Sequence, residues 1–429
     1  MTDQLEKEDV YSATRTEQLL FSLQLEHGLS RRELLKRGAL GISILAGAAR
    51  LASPQAARAA EAALADNGSP ISKPLPPNWF VNYGSNAEMR WDAVPGLGYS
   101  IPNERFFVRD HTGTPIVNAS TWQLNVFGTG LKGSPTLASP VSFTYDALRA
   151  LPSKTIYSFI ECAGNGRSFF GTQQGTPAAG TQWTLGAIGV AAWTGVPLST
   201  VLDKAGILTS AVDVMPTGLD SNVIVGGVDA GHVRRPVPAT KALDDVLLAY
   251  EMNGQPLPYD HGFPVRLVVP GWVGVSNIKW IGQIEVSATP LTSLWNTAQY
   301  VLTGPTYTGS PPVTTQVVKS AFELPLGAPL PLGKQQVLAG RSWSGSGSIK
   351  RVDVSVDNGV TWTQAPLHGA NISKAWARWN FTWTPPAAGN YTLRARAVDS
   401  TGQVQPTTVP FNDGGYLFGA IVQHPVVVS

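Results

Sequence analysis

The 429-residue chain sets 31 Lys+Arg against 29 Asp+Glu, and a net charge of +2 leaves no basic field for condensing on nucleic acid. Its 43% hydrophobic content with 13 Trp supplies a large core and excludes a disordered chain, while 44 Gly and 33 Pro favour turns and short strands over long helices. One cysteine, Cys162, excludes an internal disulfide, a paired-cysteine zinc site and an iron–sulfur cluster.

Residues 1–60 read as a signal region. Ser30-Arg31-Arg32-Glu33-Leu34-Leu35-Lys36-Arg37 is a twin-arginine motif. The weakly apolar stretch at 38–49 is far short of the roughly 20 residues that span a bilayer. Ala57-Arg58-Ala59 is a small-x-small cleavage pattern. The expectation is export to the periplasm of a mature protein beginning near Ala60, with no membrane span.

From 73 to about 290 strands mix with short helices. Thr144 reads as the N-cap of Tyr145-Asp146-Ala147-Leu148-Arg149, and 198–205 as a second amphipathic helix. A strand at 246–252 is closed by Asn253-Gly254, a hairpin signal, and 265–269 is a short buried strand. The alternation Trp280, Gly282, Ile284, Val286 predicts a half-exposed strand. Neither GxGxxG nor a Walker sequence is present, so nicotinamide and P-loop enzymes have no support. Residues 303–331, rich in Pro, Gly and Thr, read as a linker. Beyond it, Val352, Val354 and Val356, then Trp379, Phe381 and Trp383, then Tyr391, Leu393, Ala395 and Ala397 alternate between turns. That pattern predicts an immunoglobulin-like sandwich.

The chemistry gathers after the apolar run 156–160. The run delivers Cys162 into a loop with two glycines and Arg167, where backbone approaches closely and a cation favours an anion. Residue type alone leaves Cys162 as a small buried hydrophobe or a nucleophile, the latter without an obvious His partner in sequence order. The string Cys162-Ala163-Gly164-Asn165-Gly166-Arg167 resembles the molybdenum-binding loop of the sulfite oxidase family of molybdopterin enzymes. Further motifs follow in the family's order. Phe107-Val108-Arg109-Asp110-His111 resembles a pterin-contacting segment with an active-site arginine and histidine, although Asp110 stands where the family has Asn. Gly218-Leu219-Asp220, Leu248-Ala249-Tyr250-Glu251-Met252-Asn253-Gly254, Asp260-His261-Gly262-Phe263-Pro264-Val265-Arg266 and Asn277-Ile278-Lys279-Trp280 are similar to cofactor-contacting stretches. Trp295 and Tyr300 fall at the spacing of an active-site tyrosine segment, and Trp183 resembles a pocket-wall tryptophan. Gly340-Arg341-Ser342-Trp343-Ser344-Gly345 resembles a strand that returns an arginine to the substrate pocket.

The resemblance implies an α+β sulfite-oxidase-type molybdopterin domain over 73–290, followed by an all-β immunoglobulin-like dimerisation domain over 310–429. It implies a molybdenum–molybdopterin cofactor with Cys162 as the protein's metal ligand. Phe107, Val108, Arg109, Asp110, His111, Asp220, His261, Arg266, Asn277, Ile278 and Lys279 become cofactor contacts, and Arg109, His111, Arg167, Tyr300 and Arg341 catalytic residues. Three arginines suit an anionic sulfur substrate. Within the family the chain resembles molybdenum subunits of periplasmic sulfane dehydrogenases of the Sox system, on the run Asn82-Tyr83-Gly84-Ser85-Asn86-Ala87-Glu88-Met89-Arg90-Trp91. The resemblance then implies sulfane sulfur on a carrier protein as substrate and a c-type cytochrome as acceptor. The alternatives are a free-standing sulfite dehydrogenase and an exported cofactor-free binding module. The resemblance also implies a homodimer or heterotetramer through the sandwich, and Trp343, Trp362, Trp376, Trp379 and Trp383 either support such a surface or fill the sandwich core.

Overall fold

The computed structural model describes residues 70–225 and 227–429, so the twin-arginine motif, the apolar stretch and the cleavage pattern lie outside the described residues. Among the described residues no helix is long and apolar enough to cross a membrane.

The N-terminal part is α+β. Strand Lys154–Glu161 pairs antiparallel with Ile188–Pro197, and Leu247–Met252 continues the sheet, flanked by Gln255–Pro256 and Arg266–Val268. The last four residues of Lys154–Glu161 are buried and most of the earlier ones exposed, so the strand enters the core as it approaches Cys162. A second sheet runs Val237–Pro238, Asp213–Gly218, Ile281–Ser287, Gln123–Phe127, Val141–Thr144, with Ile281–Ser287 parallel to Gln123–Phe127. A small sheet joins Phe80–Asn82, Asn86–Met89 and Val108–Arg109.

Local chemistry accounts for the short elements. The Thr144 hydroxyl accepts the Ala147 N–H at 3.1 Å and caps Tyr145–Arg149. Helix Leu198–Ala205 buries Leu198, Val201, Leu202 and Ala205, the i, i+3, i+4, i+7 stripe, and stops at Gly206 with φ 83°. Asn253 and Gly254, with φ 54° and 73°, close the predicted hairpin. Strand Ile281–Ser287 is more buried than its alternation suggested. It is the central strand of its sheet, and only Gln283 and Glu285 reach intermediate exposure.

The C-terminal part is a two-sheet sandwich. One sheet holds Lys319–Phe322, Gln336–Trp343, Trp376–Trp383 and Leu367–Asn371. The other holds Ala328–Leu330, His424–Val428, Gly389–Asp399, Ile349–Ser355 and Thr363–Ala365. Two strands therefore lie inside the stretch read as a linker. Lys319–Phe322 zips onto Gln336–Trp343, and Ala328–Leu330 lies parallel to His424–Val428. Pro and Gly mark turns, but they do not prevent the residues between them from completing a sheet edge.

The tryptophan surplus is spent within the chain. Trp379 and Trp383 belong to the sandwich core, whereas Trp343 and Trp376 belong to the large cluster shared with the N-terminal part. Trp362 lies under the Arg396 guanidinium at 4.4 Å. None of these five tryptophans is exposed, so they form no outward-facing assembly surface.

Candidate active site

Cys162 sits where two cavities meet. The inner one encloses about 730 Å³ and is bordered by Phe107, Arg109, Asp110, His111, Asp220, His261, Arg266, Asn277, Ile278 and Lys279, with Tyr300 at its rim. The outer one encloses about 860 Å³ including its open mouth, and shares Arg109, His111, Cys162 and Tyr300 with the first. It adds Arg167, Trp183, Trp295 and Tyr416. The predicted residues thus divide between two adjoining cavities, an inner and an outer one, with the thiol bordering both.

Two of the predicted residues stand elsewhere. Val108 is a core residue: in strand Val108–Arg109 successive side chains face opposite ways, so the strand that turns Arg109 to the site turns Val108 away. Arg341 is not in either cavity. Its Nε donates to Glu323 Oε1 at 2.5 Å, its remaining nitrogens donate to the carbonyls of Gly98 and Leu97, and it stacks over Trp376. Buried in the seam between the two parts, it serves the domain junction and not the cleft.

The loop after Cys162 is held from several sides. Asn165 Nδ2 donates to Glu161 Oε1 and to the Leu185 carbonyl, and its Oδ1 accepts from Ala187 N. Glu161 is fully buried and also accepts from Lys319 Nζ at 2.7 Å and Trp343 Nε1 at 3.0 Å, both from the sandwich. The cysteine strand is therefore anchored by the second domain. Arg167 reaches the outer cleft through a narrow passage. Nε donates to the Gly414 carbonyl at 2.9 Å and Nη1 to Thr181 at 2.8 Å. A Cβ on Gly164 would stand 2.4 Å from Arg167 Nη2, and one on Gly415 would stand 2.6 Å from its Cγ. We expect Gly164→Ala to displace the guanidinium and lower kcat/KM at least roughly tenfold with little change in Tm, because small displacements of positioning groups are costly. Steady-state kinetics beside a melting curve check this.

Arg109, Tyr300 and His111 form one network. Arg109 Nη2 donates to Tyr300 Oη at 3.2 Å, and the Tyr300 hydroxyl, 3.0 Å from His111 Nε2, donates to that ring. Burial, then the positive Arg109 and Lys279, push the imidazole well below its usual range, so the ring is uncharged at neutral pH and offers one nitrogen as an acceptor. Burial raises Tyr300 to about 12, with Arg109 opposing, so its hydroxyl keeps its proton. Tyr300 holds φ at 54°, which for a bulky residue is a strained conformation of the kind that collects at functional sites.

The inner chamber is built of buried charge. Lys279 Nζ is paired with Asp110 and donates to the Asp260 carbonyl oxygen at 2.7 Å. Burial lifts Asp110 to about 6, with Lys279 opposing. Arg266 donates to the carbonyls of His261 and Asn277, and burial lowers its pKa to about 9. Among the described residues no carboxylate lies within 4 Å of Arg266, so the chamber holds a buried cation with only neutral acceptors. Such a cation calls for an anionic group, as a pterin phosphate provides. Among the described residues no cluster of three His, Cys, Asp or Glu could hold a metal, so a metal at Cys162 needs ligands brought by the cofactor, such as pterin dithiolene sulfurs. Gly274 allows close approach behind the cysteine, since a Cβ there would meet the Glu161 carbonyl at 2.9 Å. These residues fit a molybdenum–molybdopterin group.

Two participants were missed in the sequence. Asp260 borders the inner chamber and accepts from Ser72 and Lys73 N–H groups and from the Ser72 and Thr114 hydroxyls. Its place beside His261 in the motif was the available signal. Tyr416 stacks on Tyr300 with ring centroids 5.2 Å apart and lies under Arg167 at 5.5 Å. No local pattern marks it, because it arrives in the loop between the last two long strands.

Residues 111–295 match the oxidoreductase molybdopterin binding domain and residues 318–420 the Mo-co oxidoreductase dimerisation domain. The chain is 38% identical to a sulfite oxidase of Gallus gallus over 72% of its own length and 68% of the relative's. It is 36% identical to the mitochondrial sulfite oxidase of Mus musculus, covering 73% of this chain and 58% of that one, so it spans little more than half of the mouse relative. The structure of the sulfane dehydrogenase SoxCD from Paracoccus pantotrophus superposes with a TM-score of 0.67 at 30% identity, covering 80% of this chain and 85% of that one.

Proposed function

Because the chain belongs to the sulfite oxidase family of molybdenum oxidoreductases, we propose that it oxidises the sulfane sulfur of a carrier-bound thiosulfate intermediate and passes the electrons to a c-type cytochrome. Family membership removes the cofactor-free binding module. The observation that carries the sulfane reading is the outer cleft. It opens to solvent, and it presents two arginines where three were expected, Arg341 being engaged at the domain seam. A small dianion gains most from a tight, strongly cationic pocket. A terminal sulfur on a swinging arm needs an open mouth and less charge.

Cys162 and the inner chamber would hold the cofactor, with Arg266, Lys279 and His261 toward its phosphate and Asp220 and Asn277 along the pterin. Bound there, the group supplies two-electron oxidation of sulfur with oxygen drawn from water. Arg109 and Arg167 orient the anionic substrate group toward the thiol-bearing wall. Tyr300 keeps its proton and, hydrogen-bonded to Arg109 and His111, holds its hydroxyl in place at the wall of the cleft. Trp183, Trp295 and Tyr416 exclude water from the sides of the cleft.

We place the protein in the periplasm on the strength of the twin-arginine motif, with the sandwich as the assembly surface in a homodimer or heterotetramer. The test is cytochrome c reduction, comparing free sulfite with a carrier-bound sulfane. Turnover of the carrier conjugate well above that of sulfite supports the reading, and rapid turnover of free sulfite with no gain from the carrier overturns it. The latter result is the sulfite dehydrogenase reading, which the 38% identity to a sulfite oxidase favours. In either case kcat/KM should be free of an imidazole inflection between about pH 6.5 and 9, because His111 stays neutral there and protonates only below. An inflection near 6.5 that disappears in His111→Gln would contradict the assignment.

A further inference from the structure

A second basic cluster lies in the seam between the loop at 96–98 and the sandwich, outside both cavities that border Cys162. Arg341 stands directly opposite Arg378 on the neighbouring strand, and Arg378 directly opposite His368 on the next. Paired residues on antiparallel strands share a face, so three basic side chains make one row across three strands. All three border a cavity of about 580 Å³ with Gly96, Gly98 and Glu323.

Like charges directly opposite in a sheet repel, and the row is only partly answered. Glu323 and two backbone carbonyls satisfy Arg341. Arg378 has nothing comparable. Its Nε is buried without an acceptor, and among the described residues no carboxylate stands within 4 Å of its guanidinium. Gly369 leaves the other end of that guanidinium room, since a Cβ there would stand 3.0 Å from Nη2. A guanidinium fork at the wall of a cavity, with its Nε lacking an acceptor, is matched by a pair of anionic oxygens.

We propose that this seam binds a small tetrahedral oxyanion of the sulfate class, gripped by Arg378 with His368 and Arg341 on either side. The ion neutralises the cationic row and ties the 96–98 loop of the catalytic part to the sandwich. Two measurements test the site. Crystals of the protein soaked in selenate should show an anomalous peak between Arg378 and His368. In solution, sulfate titrated at constant ionic strength against chloride should bind saturably, and Arg378→Gln should weaken the seam component roughly 10- to 100-fold, the span of a charged hydrogen-bond pair. Arg378→Lys, which keeps the charge without the fork, should fall between. Any sulfate taken up by the outer cleft is common to all three proteins and cancels in the comparison. A selenate peak only in the outer cleft, or unchanged sulfate affinity in Arg378→Gln, overturns the proposal. Uptake of acetate in preference to sulfate also overturns it and assigns the seam to carboxylates.

Discussion

Cys162→Ser is expected to lower turnover at least about a hundredfold while leaving the melting temperature nearly unchanged. Even residues that merely orient a metal's ligands typically contribute about 10- to 100-fold, so the ligand itself sets a higher floor. The side chain is buried among Ile160, Ala163 and the chamber wall, and serine is close to it in size, so the fold loses little. A hydroxyl is a harder, weaker donor to a sulfur-rich molybdenum centre than a thiolate. Steady-state rates, molybdenum content per chain and a melting curve on the same preparation check the claim. Retention of most of the activity would return Cys162 to the role of a buried hydrophobe. Loss of melting temperature alongside activity would point to a folding role instead.

Lys319→Met is expected to destabilise the protein by about 3–5 kcal/mol, the usual cost of stranding one member of a buried ion pair. Glu161 is fully buried, and Lys319, 2.7 Å away, is its one cationic partner among the described residues, while also donating to the Asn165 carbonyl. Removing the ammonium leaves a carboxylate with, among the described residues, Asn165 and Trp343 as its donors. The double variant Lys319→Met with Glu161→Gln should regain much of the loss, since no charge is then stranded. Denaturant unfolding of the two singles and the double measures the coupling. A double variant as unstable as the sum of the singles would show that the pair does not act together. Because Glu161 immediately precedes Cys162, this pair is also the route by which sandwich residues hold the thiol in position.

The sequence on its own carried the two-part architecture, the short capped helices, the hairpin at Asn253-Gly254 and the family of the catalytic chamber. Such features are local: a cap, a turn or a glycine loop is written within a few residues, and alternation reports a strand without reference to its partners. Tertiary structure alone decided three things. Arg341 was spent on Glu323 at the domain seam because strand register set it opposite Arg378 and beside the 96–98 loop, and register is a property of pairing and not of the strand itself. The surplus tryptophans went into the junction, since the large core continues from one part into the other and a residue's face follows from what packs on it. Tyr416 reached Tyr300 across more than a hundred residues, a contact that no spacing encodes because the chain returns to the cleft only after the sandwich has closed.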